Sequence, residues 1–150
     1  MSVTRRELCS LIAVLSAGVL PAAALDTAAG GASLPLPSGV YLFDQLPVKV
    51  SDSKVETRAV FKGKLATGES VEVHETTLPP GGAPHPPHHH AHTEMWLIRE
   101  GTVEFTVNGT SHRAGPGSLA LAASNDEHGI KNAGDTPAMY FVVAVGPGAA

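Results

Sequence analysis

Residues 82–101 read GAPHPPHHHAHTEMWLIREG, and this stretch decides which fold and which chemistry the sequence indicates. His88 and His90 lie two positions apart, so on an extended strand their imidazoles leave the same face and can reach one point. Glu94 follows as the natural third ligand. Imidazole and carboxylate ligands together suit divalent first-row metals. The stretch therefore indicates a site for one divalent ion, and Mn, Fe, Ni and Zn all fit these ligands.

The spacing from His88 to Glu94 also predicts a bend in the chain. A straight strand that rises about 3.3 Å per residue would separate these two residues by roughly 20 Å. An ion that each ligand holds at about 2 Å cannot span that distance. We therefore expect a corner or bulge at residues 91–93, which turns His92 away from the ion.

Two motifs in the sequence resemble those of the cupin family. The first has the spacing G-x5-H-x-H-x3-E-x6-G, and every position matches: Gly82, His88, His90, Glu94 and Gly101. The second reads G-x5-P-x-G-x2-H-x3-N in the family, and here its positions hold Gly117, Ala123, Asn125, His128 and Asn132. Alanine thus replaces the usual proline, and asparagine replaces the usual glycine. Asparagine tolerates the left-handed backbone conformation better than most residues. The resemblance covers residues 71–145 and implies that His128 is the fourth metal ligand.

The resemblance also implies an all-β fold, the double-stranded β-helix or small jelly roll in which two antiparallel sheets surround a metal pocket. The residue pattern agrees, because short alternating stretches follow one another with glycine and proline turns between them. Asn108 and Gly109 mark a hairpin turn. Residues 138–145 form an apolar run that is typical of a buried strand. Alternation in residues 55–62 predicts one strand face that holds Val55, Thr57, Ala59 and Phe61.

Length and charge limit the domain organisation and the partners. A chain of 150 residues makes one ordinary domain, which we place at residues 39–150 with its core at residues 71–145. The net charge is −4 and no basic cluster occurs, so neither nucleic acid nor an anionic membrane is indicated as a partner. A small-molecule ligand or substrate is the expected partner. Residues 40–50 predict an arm that lies either on its own barrel or on a second subunit, and the second arrangement makes a homodimer.

The first 24 residues have the character of an export signal. Arg5 and Arg6 precede an apolar run at residues 8–20 and an alanine-rich cleavage pattern, an arrangement that resembles a twin-arginine signal. A helix or membrane anchor is the alternative, but the run is shorter than the roughly 20 residues that a span needs. We therefore expect a periplasmic or secreted protein without a stable membrane anchor. Residues 25–38 are rich in Ala, Gly, Ser and Pro, which predicts a disordered linker.

The predicted site permits several reactions. An ion bound by three imidazoles and one carboxylate usually keeps positions for water or substrate, and Glu94 could leave it to act as a catalytic base. The family resemblance implies dioxygenases, isomerases, lyases and non-catalytic binders on one fold, and the fold does not choose among them. We expect an exported metal-dependent enzyme of dioxygenase type that acts on a small oxygenated organic molecule. The alternatives are a metal-containing binding module for a sugar or effector, an isomerase or lyase, and an ion that only holds the sheets together.

Other side chains near the motif have weaker indications. Trp96 and Ile98 share the strand parity of Glu94 and are expected to face inward, with the tryptophan in the core. His74 lies between two glutamates and is expected to face solvent. The sequence does not assign roles to the four histidines that remain, although the position of His92 suits contact with a ligand: His85, His89, His92 and His112.

Overall fold

The computed structural model describes residues 34–150, and the regular structure of this region is almost entirely β. A single 3-10 turn, Phe43–Gln45, comes first in it. The strands that follow are β1 Val48–Val50, β2 Glu56–Lys64, β3 Ser70–Leu78, β4 Thr93–Glu100, β5 Val103–Val107, β6 Thr110–Ala114, β7 Leu119–Ala122, β8 His128–Asn132 and β9 Ala138–Val145. Residues 34–150 include no helix long and apolar enough to cross a bilayer. The predicted export signal, residues 1–24, and the first part of the predicted linker lie outside the described residues.

The strands form two antiparallel sheets, as the sequence predicts. The large sheet has the order β1-β2-β3-β9-β4-β7, and the small sheet has the order β6-β5-β8. The sheets pack through their inner faces, where the ring of Trp96 in β4 lies 4.7 Å from the ring of Phe105 in β5. Both rings are buried, and the remaining core side chains surround them: Val55, Leu78, Ile98, Val103, Ala122, Ile130, Ala138, Tyr140 and Val142. This is the double-stranded β-helix that the pattern of strands and turns indicates.

Strand β4 confirms the predicted inward face. Trp96 and Ile98 are each only 3% exposed, whereas Leu97 between them is 43% exposed on the outer face. Alternation follows from the pleat, because successive side chains of a strand point to opposite sides of the sheet. Glu94 has the same parity as Trp96 and therefore faces the interior.

Strand β2 departs from the prediction. Ala59 pairs with His74 and Phe61 pairs with Val73, so Val60 is an extra residue without its own partner. A bulge of this kind shifts the alternation by one residue. The expectation that Ala59 and Phe61 share one face is therefore wrong. Phe61 turns to the outer face, where its ring lies 5.2 Å from the ring of Tyr41.

The arm before β1 lies on the outer face of its own large sheet. The backbone N–H of Leu36 donates to the carbonyl of Lys64 at 2.8 Å, so the end of the predicted linker pairs with the end of β2. Further along, the ring of Phe43 lies 4.8 Å from the guanidinium of Arg58 and 4.9 Å from that of Arg99. The described arm therefore contacts its own sheet, and the homodimer stays a prediction.

An ion pair is buried beneath this arm. Arg58 donates to Glu75 at 2.9 Å, and the Glu75 side chain has no exposed surface. Thr77 donates its hydroxyl to the other oxygen of the same carboxylate at 2.7 Å. Both Glu75 oxygens are thus hydrogen-bonded, which is what a buried carboxylate requires.

Two turns require unusual backbone conformations. Asn108 and Gly109 both have positive φ, 46° and 78°, and connect β5 to β6 as the predicted hairpin turn. Gly101 has φ +75° between β4 and β5, and a Cβ at this position would lie 2.6 Å from the Cα of Ala138. Glycine is therefore required at Gly101 for two reasons, backbone conformation and space.

Candidate metal centre

The two sheets bring the predicted ligands together at one place. His88 and His90 lie in the segment before β4, Glu94 lies in β4, and His128 is the first residue of β8. An isolated bridge joins His88 to His128, with N–H to O distances of 3.0 and 2.8 Å. The chain bends at residues 91–92 before β4 begins, as the spacing predicts. The histidine segment is therefore held against the small sheet while Glu94 approaches from the large one.

Three of the predicted ligands lie together, and Glu94 approaches two of them. The Oε2 atom of Glu94 lies 3.3 Å from Nε2 of His90 and 3.4 Å from Nε2 of His128. One ring nitrogen each of His88, His90 and His128 lies within 4.8 Å of the others. Such spacings suit nitrogen and oxygen atoms that surround one cation at about 2 Å.

Backbone carbonyls fix the tautomers of two of these histidines. Nδ1 of His90 lies 2.9 Å from the carbonyl of His92, and Nδ1 of His128 lies 2.9 Å from the carbonyl of Asp126. A carbonyl only accepts hydrogen bonds, so in each ring Nδ1 carries the proton and donates it. Nε2 is then left with a free lone pair that points away from the backbone, as metal-binding histidines require.

Unpartnered nitrogens show that the site fits a cation. Nε2 of His90, Nε2 of His128 and Nδ1 of His88 are buried and have no hydrogen-bond partner among residues 34–150. Buried polar atoms without partners are rare in folded proteins because their desolvation is costly. A divalent ion bound by these nitrogens and by Glu94 would satisfy all of them. The structure thus brings His88, His90 and His128 together and places Glu94 beside His90 and His128, and the binding of one ion by all four stays a prediction.

The surroundings of His88 keep its ring neutral. Burial lowers the pKa of His88 below its ordinary value, and the nearby imidazoles of His85, His128 and His90 lower it further. Glu94 acts in the opposite direction but is the smallest of these influences. A neutral imidazole is the form that binds metal, so the ring is prepared for that role at neutral pH.

His92 contacts one of the predicted ligands, as its position in the sequence suggests. Its ring stacks on the ring of His90 with centroids 3.5 Å apart and an angle of 13° between the planes. Its Nε2 lies 3.4 Å from Oε1 of Glu94, the oxygen that faces away from His90 and His128. These contacts agree with the expectation that His92 touches a ligand, and the expectation that His92 does not itself bind the ion stays a prediction.

A cavity of about 250 Å³ opens beside the candidate centre. Apolar side chains of the core, including Trp96 and Val142, form part of its wall. Polar side chains in the wall comprise two of the predicted ligands and five other residues: Glu94, His128, Thr57, His74, Thr76, His85 and Tyr140. A concave wall that combines apolar surface with convergent polar groups is typical of a small-molecule site.

His74 and Tyr140 are the members of this wall that the sequence does not reveal. The sequence predicts that His74 faces solvent, but its side chain is 25% exposed and lines the cavity, so that expectation is wrong. Tyr140 is 1% exposed, and burial raises the pKa of its hydroxyl far above the ordinary value. A hydrogen bond with Thr76 opposes this shift without cancelling it. Tyr140 therefore stays neutral and serves as a hydrogen-bonding group.

The second motif supports the ligands through its backbone. Asn125, with φ +65°, donates its N–H to the carbonyl of His90 at 2.8 Å. Asn132 is 2% exposed and its amide donates to the carbonyls of Leu78 and Thr136 at 3.1 and 2.7 Å. The asparagine that replaces the usual glycine thus adopts the left-handed conformation, as expected. Asn132 holds the end of β8 against the end of β3.

The remaining histidines divide into two groups. His85 lines the cavity and its ring meets that of His88 edge-on at 4.2 Å. His89 and His112 are exposed, and neither contacts a predicted ligand among the described side chains. Only His85, His92 and His74 thus accompany the four ligands at the site.

Sequence comparison agrees with this geometry. Residues 74–144 match the protein family described as Cupin domain. These 71 of the 150 residues are similar to that family. L-ectoine synthase of Bordetella petrii is 34% identical to the chain over 80 residues, which make up 52% of this chain and 57% of that protein. The chain therefore spans little more than half the length of this relative.

Solved structures share the fold of the cupin domain. A predicted oxalate decarboxylase from Thermotoga maritima has a TM-score of 0.60 at 20% identity, with 71% of this chain and 98% of that chain covered. The polyketide cyclase RemF from Streptomyces resistomycificus has a TM-score of 0.58 at 16% identity, with 73% and 80% covered. At such identities the similarity establishes the fold alone.

Proposed function

We propose that the protein is a metal-dependent cupin enzyme that acts on a small oxygenated organic molecule. One observation carries the proposal: three buried imidazole nitrogens without partners lie together, and Glu94 approaches two of them beside a cavity that Glu94 and His128 line. A bound divalent ion would act there as a Lewis acid toward a substrate oxygen. A cavity of about 250 Å³ limits the substrate to a small molecule.

The cupin domain's own side chains would position the substrate. Trp96 and Val142 supply apolar surface that excludes water, which strengthens every polar interaction in the cavity. Tyr140 and Thr76 supply neutral hydrogen-bonding groups. In this arrangement Glu94 has a second role, because its Oε1 faces His92 while Oε2 faces the ligand nitrogens. A carboxylate so placed can accept a proton from the substrate without leaving the site.

We favour a dioxygenase-type oxidation. The support is chemical, because a ligand set rich in imidazole with one carboxylate suits redox-active iron or manganese. An isomerase or lyase reaction without oxygen is the second candidate, since the relative L-ectoine synthase is named as a synthase and not as an oxygenase. The non-catalytic alternative, a binding module for a sugar or effector, remains as the outcome in which no substrate is turned over.

Oxygen uptake separates these functions. Protein loaded with iron or manganese is screened against flavonols, catechols and keto acids, and the same screen is repeated with zinc-loaded protein, because zinc has no redox chemistry. Uptake only with the redox metals supports the dioxygenase. Product formation by zinc-loaded protein without oxygen uptake would instead favour a lyase or cyclase. If neither occurs and ligands still bind, the binding module is the better description.

We also propose that the protein is exported in folded form to the periplasm or beyond. Support comes from the paired arginines, Arg5 and Arg6, ahead of a short apolar run that ends in small residues. Mass spectrometry of the periplasmic fraction should find a chain that begins near Leu25. Replacing both arginines by lysine should abolish export, and unchanged processing of that variant would contradict the proposed route.

A further inference from the structure

A second polar group lies in the same cavity wall, on strand β3. Nδ1 of His74 lies 3.4 Å from Oε1 of Glu72, and Nζ of Lys62 lies 3.1 Å from Oε2 of the same carboxylate. His74 makes no side-chain hydrogen bond in residues 34–150, so its Nε2 is available to a ligand. A histidine with a carboxylate beside one nitrogen is oriented and stabilised when the other nitrogen takes up a proton.

The register of the large sheet places His74 and Glu94 on the same inner face, on two strands that β9 separates. Glu72 and Glu94 both pair with Ala144, and His74 and Trp96 both pair with Val142. Strands β3 and β4 therefore lie two strand spacings apart, about 10 Å. Val142 lies between His74 and Trp96, and these three side chains line the cavity together.

We propose that His74 is a catalytic residue that binds an acidic O–H or N–H group of the substrate and takes up its proton. This inference rests on the proposed function, because the other end of the substrate would be an oxygen donor at the metal centre. The proton moves to Nε2 of His74 while the electron pair stays on the substrate atom. The imidazolium that forms is stabilised by Glu72, and the proton returns to the product. The substrate class is then a bifunctional molecule with a metal-binding oxygen at one end and an acidic proton at the other.

A pair of hydroxamates tests the proposal without turnover. 4-Hydroxybenzohydroxamic acid carries a metal-binding hydroxamate and a distant phenolic hydroxyl, whereas benzohydroxamic acid lacks the hydroxyl. Both are titrated calorimetrically into zinc-loaded protein whose metal content has been measured. We expect the hydroxy compound to bind wild-type protein about tenfold more tightly, the effect of one hydrogen bond to a group that becomes charged. In His74→Ala this ratio should fall to about 1, with metal content unchanged.

Control variants make the outcomes distinct. His112→Ala removes an exposed histidine of the small sheet and should keep the tenfold ratio. Glu72→Gln keeps the shape of the partner of His74 and should lower the ratio to about threefold, which tests the positioning role even where His74→Ala does not fold. Equal binding of the two compounds by wild-type protein would overturn the role of His74 and leave the metal site intact. Failure of zinc-loaded protein to bind either compound would overturn both this inference and the proposed function.

Discussion

His90 and His128 each satisfy two constraints at once, because one ring nitrogen donates to a backbone carbonyl while the other faces Glu94. Spacing in the sequence predicts which residues meet, since a motif fixes how many residues separate the ligands. It does not predict the tautomer, which depends on carbonyls that only the folded loop brings near. For the same reason spacing does not predict the stacking of His92 on His90, since it depends on how the loop turns back.

Removal of single ligands is the direct test of the candidate site. We expect His88→Ala and His128→Ala each to lower the metal content of purified protein from about one ion per chain to nearly none, because each removes a buried donor. Elemental analysis measures this. His89→Ala removes an exposed neighbour in the same segment and should leave metal content unchanged. Stoichiometric metal in both ligand variants would contradict the four-ligand assignment.

Gly101 allows a matched test of backbone conformation against space. Gly101→Ala should lower the free energy of unfolding by about 3 kcal/mol, because strain at positive φ adds to a clash with Ala138. Gly109→Ala has a similar φ of +78° but open space around the new Cβ, so it should cost only about 1 kcal/mol. Urea denaturation of both variants measures the difference. Equal losses would mean that the structure around Ala138 makes room for the new methyl group without a loss in the free energy of unfolding.

At the scale of strands, β3 explains why alternation in the sequence misleads. Its outer residues Val71 and Val73 are apolar because the large sheet is covered on that side, whereas its inner residues Glu72, His74 and Thr76 include polar groups that line the cavity. The usual inference from alternation assigns apolar residues to the inner face, so for this strand it exchanges the inner and outer faces. Strand β4 is predicted correctly because its inner residues, such as Trp96, belong to the apolar core. Sequence alternation thus fails where an interior is polar.

The buried pair of Arg58 and Glu75 joins β2 to β3 and should matter more for stability than exposed pairs do. Arg58→Met leaves the fully buried Glu75 carboxylate without its cation, so we expect a loss of about 3 kcal/mol in the free energy of unfolding. Lys131→Met breaks the 2.8 Å pair with Glu104, in which the lysine is 54% exposed, and should cost under about 1 kcal/mol. Chemical denaturation compares the two variants. Similar losses would show that burial does not determine how much each ion pair contributes to the free energy of unfolding.

At the scale of the whole domain, both sheets contribute predicted ligands to the candidate centre. Glu94 comes from the large sheet and His128 from the small one, so an ion between them would join the sheets directly. The only cysteine of the chain is Cys9, so no disulfide within the chain can take over this role. Metal and fold should therefore be thermodynamically linked, because a ligand that binds only the folded state stabilises it.

Removal of the metal should lower thermal stability at neutral pH. At free metal about 100-fold above its dissociation constant, binding adds about 2.7 kcal/mol, which corresponds to several degrees in Tm. We expect a chelator at pH 7.5 to lower Tm by that amount, and the difference to vanish below about pH 5, where protons displace the ion from histidine. Calorimetry with and without chelator measures it. Identical melting of loaded and stripped protein at pH 7.5 would refute the linkage.

The metal-free protein should also lose stability on acidification. The pKa of His88 is lowered in the folded protein, so between about pH 6.5 and that lower value the unfolded chain binds a proton that the folded protein does not. The free energy of unfolding is thus at its full value above about pH 6.5 and falls as pH drops below it. Tm measured from pH 7.5 to 5.5 should fall less in His88→Gln than in wild type. An equal fall in both proteins would show that burial of His88 is not responsible.

The extra residue at Val60 has a consequence for how the gene can change. On one side of it β2 contributes Thr57 to the cavity wall, and on the other side Phe61 meets the arm on the outer face. Deleting Val60 would turn the side chains of one half of the strand to the opposite face. A substitution elsewhere could not compensate, because it does not add the missing residue. Point mutations of Val60 should therefore be tolerated far better than a one-codon deletion at the same site. In this strand the number of residues should therefore matter more for folding than the identity of residue 60.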